Sequence, residues 1–480
     1  MTAGVAIVSL ALLFMCYSAG YRQGAPVTRG AAEPWAGRGE GESDRGSSSD
    51  DGGGGSDGGG GGNDSTAWAL VWALMGAFIL CNLDKVNMSV AVIPLAEKFG
   101  WTATERGLVS SAFFWGYALT QVPAGYIAAR LGGTRVLAAA VFVWSAGTLV
   151  APVAAAWGIF SLSFTRLIVG LGEGFGPAAV TALLAKHVPA NMRARAVAIV
   201  FGGMELGNAL GLLTCGPLIA RAGWESVFYV FALAGFFWVG VWLTKLAPPE
   251  DPTVSEKGKA EETAVPYGEF LRTPAVWALI TAHFCHNWGY YTMLAWLPSY
   301  FQIIFDAGAT QAGQTALLPN LAMAAMAPLV GFAADGLQNR GMPRTRVRKV
   351  AQGAAFALPA LTMAFLALVT PEGMGSSLGL APAPGAVIVV ALCFAFAMST
   401  WSKAGLYCNH QDLSPKFAAP LLGITNTAGA LCGIVGIWLT GVLLDSTGNW
   451  SLALFLPIAC AQTLGLIVYS AWGSAEQMWE

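Results

Sequence analysis

The 480-residue sequence is poor in charge. Asp, Glu, Lys and Arg supply 11% of it, where a soluble chain carries roughly 25%. So few charges cannot coat a water-facing surface. That excludes the two or three soluble domains usual at this length. A basic excess is also lacking, since 25 Lys and Arg stand against 27 Asp and Glu, a net of −2. Nucleic acid is therefore not an expected partner. The four histidines never take metal-ligand spacing. The eight cysteines form no C-x-x-C pair, and they read as small buried hydrophobes, not as a zinc site or a disulfide framework. Neither a Gly-x-Ser-x-Gly elbow nor a Walker loop occurs. No metal or cofactor is expected, and no enzyme activity.

What the sequence has is apolar length. Residues of the AVILMFWYC set make up 55%, with 60 glycines besides, and the mean hydropathy is +0.58. About 20 apolar residues carry a helix across the hydrocarbon core. Twelve such stretches lie near 67–93, 106–129, 134–156, 158–186, 195–220, 224–246, 274–304, 312–335, 348–369, 385–408, 418–444 and 450–473. The expected fold is an all-α membrane protein of twelve transmembrane helices in two pseudo-symmetric six-helix bundles, 67–246 and 274–473. A polar connection over 247–273 divides them, and 474–480 is a tail. Gly125-Tyr126-Ile127-Ala128-Ala129 and Gly331-Phe332-Ala333-Ala334-Asp335, 206 residues apart, each precede a basic loop. Two equivalent halves with a site between them is a transporter plan.

Lys and Arg fall mostly on alternate loops. Arg130, Arg135, Lys186, Arg193, Arg195, Lys245, Lys257, Lys259, Arg340, Arg344, Arg346, Arg348, Lys349 and Lys416 belong to one set. That set faces the cytosol or its topological equivalent.

Residues 1–20 resemble a signal or targeting segment, an apolar run ending in Ser18-Ala19-Gly20. A retained signal anchor is the alternative. Residues 21–66, rich in Gly, Ser and Asp, are expected to be disordered. A signal sequence before a polar leader suits targeting to a plastid of secondary origin, in its envelope or thylakoid membrane. An endomembrane or the plasma membrane is the other placement.

An ionisable side chain at bilayer depth is costly unless paired or wet, so each is a functional candidate. Span one carries Asp84, Lys85 and Asn87. Asp84 and Asn87 share a face at i, i+3, and Lys85 shares one with Ser89 at i, i+4. A snorkelling Lys85 is the competing reading. Span four carries Arg166 and Glu173, nearly two turns and about 10 Å apart on one face. That pairing suits either a proton-sensitive switch or a structural ion pair. Span seven offers His283, His286 and Tyr290, and span ten ends in Lys403 and Asn409-His410-Gln411-Asp412, which read equally as a solvated cytosolic mouth. Gly203, Gly207 and Gly211 line one face of span five, and Gly429 and Gly433 one face of span eleven. These serve close static packing or a surface on which the halves rock. Lys85, Arg166 and His286 come from both halves, and this excess of cationic groups favours a small anionic substrate.

Several segments resemble one family. Asn82-Leu83-Asp84-Lys85-Val86-Asn87-Met88-Ser89-Val90-Ala91, Ser111-Ala112-Phe113-Phe114-Trp115-Gly116-Tyr117, Gly170-Leu171-Gly172-Glu173-Gly174, Phe284-Cys285-His286-Asn287-Trp288-Gly289 and Asn409-His410-Gln411-Asp412 are similar to the anion transporter family of the major facilitator superfamily. That family includes vesicular glutamate transporters, sialic acid exporters and sodium-phosphate cotransporters. The last two segments resemble its plant and algal branch, often plastid phosphate transporters. The resemblance implies an anion site from Lys85, Tyr117, Arg166, His286, Tyr290 and His410, with Glu173 and Asp84 in coupling or gating. It implies a secondary transporter of inorganic phosphate or a related small anion, driven by Na⁺ or H⁺ and working as a monomer in the lipid bilayer. An organic anion such as glutamate, ascorbate or a dicarboxylate is the alternative. A membrane-embedded acyltransferase-like enzyme is the reading from another class. Two positions depart from the family: Lys85 stands where Arg is usual, and Val180 where some organic-anion members carry His.

Overall fold

The computed structural model describes residues 61–248, 265–370 and 381–479. The targeting segment, nearly all of the leader and most of the connection between halves lie outside these. All regular secondary structure among the described residues is helical. In the first half they form α1 Gly61–Phe99, α2 Ala103–Leu131, α3 Gly133–Trp157, α4 Ile159–His187, α5 Ala190–Ala222 and α6 Glu225–Val241, which runs on through a π-helical turn to Leu246. The second half has α7 Pro274–Ile304, α8 Ala309–Asn339, α9 Arg344–Val369, α10 Gly385–Ser399, α11 Leu406–Leu413, α12 Ala418–Thr447 and α13 Leu456–Trp472. Because α10 and α11 share one expected span, twelve spans result.

Ten of these are long and apolar enough to cross a membrane by length and composition alone. The two that fall short are α2 and α7. Both are long, and their hydropathy is lowered by the Tyr, Trp, His, Asn and Gln that they carry. Both face the junction of the halves, where the polar residues of the site gather.

Three expectations change at the edges. The first helix starts at Gly61 and not at 67. Within the 247–273 connection, Tyr267–Phe270 form a helical turn. The tail is packed: Trp479 meets Phe270 edge-on and donates to Glu269, and the Met478 amide bonds the Leu413 carbonyl.

The first half is wound tightly because glycine makes its corners. Gly132 and Gly158 alone separate α2 from α3 and α3 from α4, with φ of +86° and +119°. Side chains rarely adopt these values. Glycine also sets the spacing of α2 and α4. A Cβ on Gly170 would lie 1.9 Å from the Phe113 carbonyl oxygen, and one on Gly116 would lie 2.0 Å from that of Leu167. This contact brings Phe113 and Tyr117 against the polar face of α4.

The Gly203, Gly207 and Gly211 stripe packs on Met75, Ile79 and Val86 of α1, inside its own half. Static packing therefore explains it, and a rocking surface does not. Gly433 does lie across the junction, against Phe114 of α2, while Gly429 admits Asn287 and His283 of its own half.

Span ten is broken, not continuous. After α10 the chain makes a 3-10 turn, Thr400–Lys403, and restarts at Leu406. At the break, a Cβ on Gly405 would sit 2.8 Å from Gln352 atoms. The freed Leu406 amide donates to Gln352 Oε1 at 3.0 Å. Irregular backbone at membrane depth persists when protein groups satisfy it in this way.

All cysteines among the described residues are free. Cys81, Cys215, Cys285 and Cys432 are buried, as expected, but Cys408 and Cys460 are exposed.

Candidate functional site

Four of the predicted residues converge in the first half. Lys85, on α1, is not a snorkelling lysine, since its side chain is only 8% exposed. Its Nζ lies 3.7 Å from Glu173 Oε2 and over the rings of Phe113 and Tyr117, at 5.4 and 5.3 Å from their centroids. Aromatic faces attract a desolvated ammonium through the ring quadrupole. Glu173, fully buried on α4, thus pairs with Lys85 and not with Arg166, its expected partner. The Cys81 thiol donates to the same Glu173 oxygen at 3.2 Å. Cys81 and Lys85 are four residues apart, so one face of α1 presents both to Glu173.

Arg166, also on α4, is 2% exposed. Its guanidinium lies 5.6 Å from the Phe113 ring centroid. Its Nε and Nη1 have no hydrogen-bond partner among the described residues. Asp84 is buried nearby, but its carboxylate is already engaged. Asn87 Nδ2 donates to Oδ1 at 2.6 Å, as the i, i+3 spacing predicts, and the Thr148 hydroxyl of α3 donates to Oδ2.

Lys85 and Arg166 line one small cavity with Ser89, Ser110, Phe113 and Phe114. The second half closes it with Tyr291, Leu294, Ala295 and Ile437. His286 does not reach this cavity, contrary to the expectation that it joins Lys85 and Arg166. Five residues of helix turn it about 140° from Tyr291. It lines a second cavity inside the C-terminal half with Tyr290, Ser399 and Gln462, and its Nε2 lies 3.3 Å from the Ser402 hydroxyl. Tyr290 reaches across the junction, its hydroxyl accepting from Asn208 Nδ2 of α5 at 2.9 Å.

His410 is buried, not solvated at a mouth. Its Nε2 lies 2.8 Å from the Thr425 hydroxyl, which also meets His283 Nδ1 at 3.0 Å. One hydroxyl of α12 therefore ties α7 to α11. Its neighbour Asn426 donates to Gln121 of α2, across the junction. Asn409 is buried too and donates to the Tyr469 hydroxyl at 2.7 Å. Asp412 pairs with Arg348, Oδ2 to Nε at 2.5 Å. Lys403 pairs with Glu205 of α5 at 3.6 Å.

Sequence reasoning missed Cys81, Thr148, Tyr291 and Thr425. Helical spacing from Lys85 was a usable signal for Cys81. Thr148 and Thr425 gave none, because each acts on a helix remote in sequence.

Two cations, one paired with a carboxylate and one with two nitrogens lacking a hydrogen-bond partner among the described residues, thus line one cavity between the two helical bundles. Residues 73–407 match the profile of the Major Facilitator Superfamily. The chain belongs to the Major Facilitator Superfamily. Within it, this member is 42% identical over 421 residues to "Probable anion transporter 6, chloroplastic" of Arabidopsis thaliana, a match covering 85% of this chain and 79% of that one. It is 36% identical to "Sodium-dependent phosphate transport protein 1, chloroplastic" and 37% identical to "Ascorbate transporter, chloroplastic", both of Arabidopsis thaliana. Those matches cover 86% of this chain each, and 80% and 75% of the two relatives. The superfamily fold is also that of a crystallised D-xylose-proton symporter, with a TM-score of 0.67 at 15% identity, covering 86% of this chain and 99% of that one.

Proposed function

We propose that this superfamily member is a secondary active transporter of inorganic phosphate or a related small anion, driven by Na⁺ or H⁺ and acting by alternating access in a plastid envelope or thylakoid membrane. It is a carrier and not an enzyme, and one chain holds a complete path. The observation that carries this is Arg166. A guanidinium buried to 2% exposure with two nitrogens unpartnered leaves costly unsatisfied donors. A phosphate or carboxylate beside it takes those donors in charge-assisted bonds. Lys85 lines the same cavity and supplies a second charge. The matched transporters of phosphate and of unspecified anions support this reading.

Glu173 fits a coupling role. While it holds Lys85 at 3.7 Å, one of the two cations is neutralised. A proton or a cation taken up by Glu173 frees Lys85 for the substrate, which links the two fluxes.

An organic anion is the second reading. The cavity lined by His286, Tyr290, Ser399 and Gln462 offers polar side chains for the carbon-borne hydroxyls of a larger organic anion, and the ascorbate transporter is among the matched relatives.

Uptake by purified protein in liposomes tests both. Phosphate, ascorbate and glutamate are offered in turn under an imposed Na⁺ or pH gradient. Saturable phosphate uptake under one of the gradients is the expected result. Uptake of ascorbate alone would favour the second reading, and uptake of none of the three would reject both.

A further inference from the structure

The two halves are fastened at the ends opposite the basic loops, and the fastening is unequal. Helix α2 begins there with four amide groups that have no partner within the helix. Its own capping box accounts for two of them, those of Thr102 and Glu105: the Thr102 hydroxyl accepts from the Glu105 amide, and the Glu105 carboxylate accepts in return from the Thr102 amide. The two amides between them are taken by the other half. Asp445, in the last turns of α12, accepts from the Ala103 amide through Oδ1 at 2.9 Å and from the Thr104 amide through Oδ2 at 2.7 Å. Both carboxylate oxygens are used, and the negative charge sits at the positive end of the α2 dipole.

The surroundings leave no slack. A Cβ on Gly441, one turn before Asp445, would lie 2.3 Å from the Ala103 carbonyl oxygen, so the two helix ends are in backbone contact. The same end is crossed by a bond from Arg106 of α2 to Ser299 of α7 and by one from Gln302 of α7 to Glu97 of α1 at 3.2 Å. Of these crossings, only that of Asp445 completes a helix end.

We infer that Asp445 is the latch of the gate on the face opposite the basic loops: its carboxylate caps α2 only while that gate is shut, and releasing the cap is the step that opens it. This rests on the alternating-access reading but on no choice of substrate. In the shut form the Ala103 and Thr104 amides are satisfied by α12. In the open form they must turn to water. The carboxylate therefore stabilises one conformation relative to the other, and removing it shifts the balance toward the open one.

Ser110→Cys, in the cavity wall, reads the gate from outside. In oriented proteoliposomes, a membrane-impermeant thiol reagent is applied to the face opposite the basic loops. Labelling above that of the chain without the added cysteine is followed over time, with no substrate present. Asp445→Ala is expected to speed labelling about tenfold. Asp445→Asn, which keeps an accepting oxygen but loses the charge, is expected to speed it about threefold. Thr102→Ala weakens the same helix end within one half and is expected to leave the rate unchanged. Should Asp445→Ala fail to fold, the comparison of Asp445→Asn with Thr102→Ala stands alone. Wild-type rates in both Asp445 variants would overturn the latch. Equal acceleration by Thr102→Ala would overturn it too, since fraying of α2 would then explain the effect. Failure of all transport with the labelling pattern intact would reject the substrate reading and leave the latch standing.

Discussion

Lys85 Nζ and Glu173 Oε2 lie 3.7 Å apart, and Lys85 shares the wall of a cavity with Arg166, two of whose nitrogens have no hydrogen-bond partner among the described residues. One cation of the site is thus held by an internal acid and the other is not. On the proposed function, an anion in this cavity competes with Glu173 for Lys85 but with no internal acid for the two free nitrogens of Arg166.

This ranks the variants at position 85. Lys85→Ala leaves Glu173 as an unpaired buried acid and removes one charge from the site. Uptake is expected to fall to a few per cent of wild type. Lys85→Arg keeps the charge and adds a planar bidentate donor, so transport is expected to persist with an apparent KM equal to or below that of wild type. Concentration-dependent uptake at matched protein density measures both, and wild-type kinetics in the Ala variant would remove Lys85 from the site.

Glu173→Gln keeps the shape and removes the exchangeable charge. Lys85 is then free at every pH, and the response of uptake to an imposed pH gradient is expected to flatten at least threefold. An unchanged response at normal protein levels would leave Glu173 as a structural partner of Lys85 only.

The pair between Arg348 and Asp412 holds α9 to α11, with side chains 11% and 12% exposed. Arg348 Nη1 also bonds the Ala404 carbonyl at the break in span ten. Asp412→Asn is expected to cost about 2 kcal/mol, as removing one member of a largely buried pair leaves the other charge uncompensated. A lowered Tm in detergent that Arg348→Gln in the same chain does not lower further would mark the two as one unit.

Thr425→Val removes the hydroxyl between His283 and His410 while keeping the side-chain shape. Two buried imidazole nitrogens lose their partner, at about 1–3 kcal/mol each. The expected result is a lower Tm together with slower transport. Thr425→Ser, which restores the hydroxyl, is expected to recover both, and failure of Ser to recover them would show that shape matters there and the bond does not.

Much of this protein was legible in one dimension. Bilayer thickness fixes span length, so twelve apolar stretches could be counted, and scarce charge made the membrane the only compatible solvent. Alternate basic loops predict an orientation. Lys85, Arg166 and Glu173 stood out because an ionisable group in an apolar run is expensive wherever the chain folds. Helical spacing placed Asp84 with Asn87 on one face before any contact was known.

Only the tertiary structure decided who meets whom. Spacing along α4 suggested Glu173 with Arg166, yet the close glycine contact of α2 and α4 and the facing side of α1 gave Glu173 to Lys85. His286 looked like a member of the anion site, but its rotation on α7 turned it into the second half. His410 seemed solvated until the break at Gly405 folded α11 inward against Thr425. In sequence Asp445 is only an acid at the end of an apolar run, and the meeting of α12 with α2 made it a cap. The physical reason is common to all four. Periodicity along a helix tells which residues share a face, but the neighbour of that face is chosen by packing between segments tens to hundreds of residues apart.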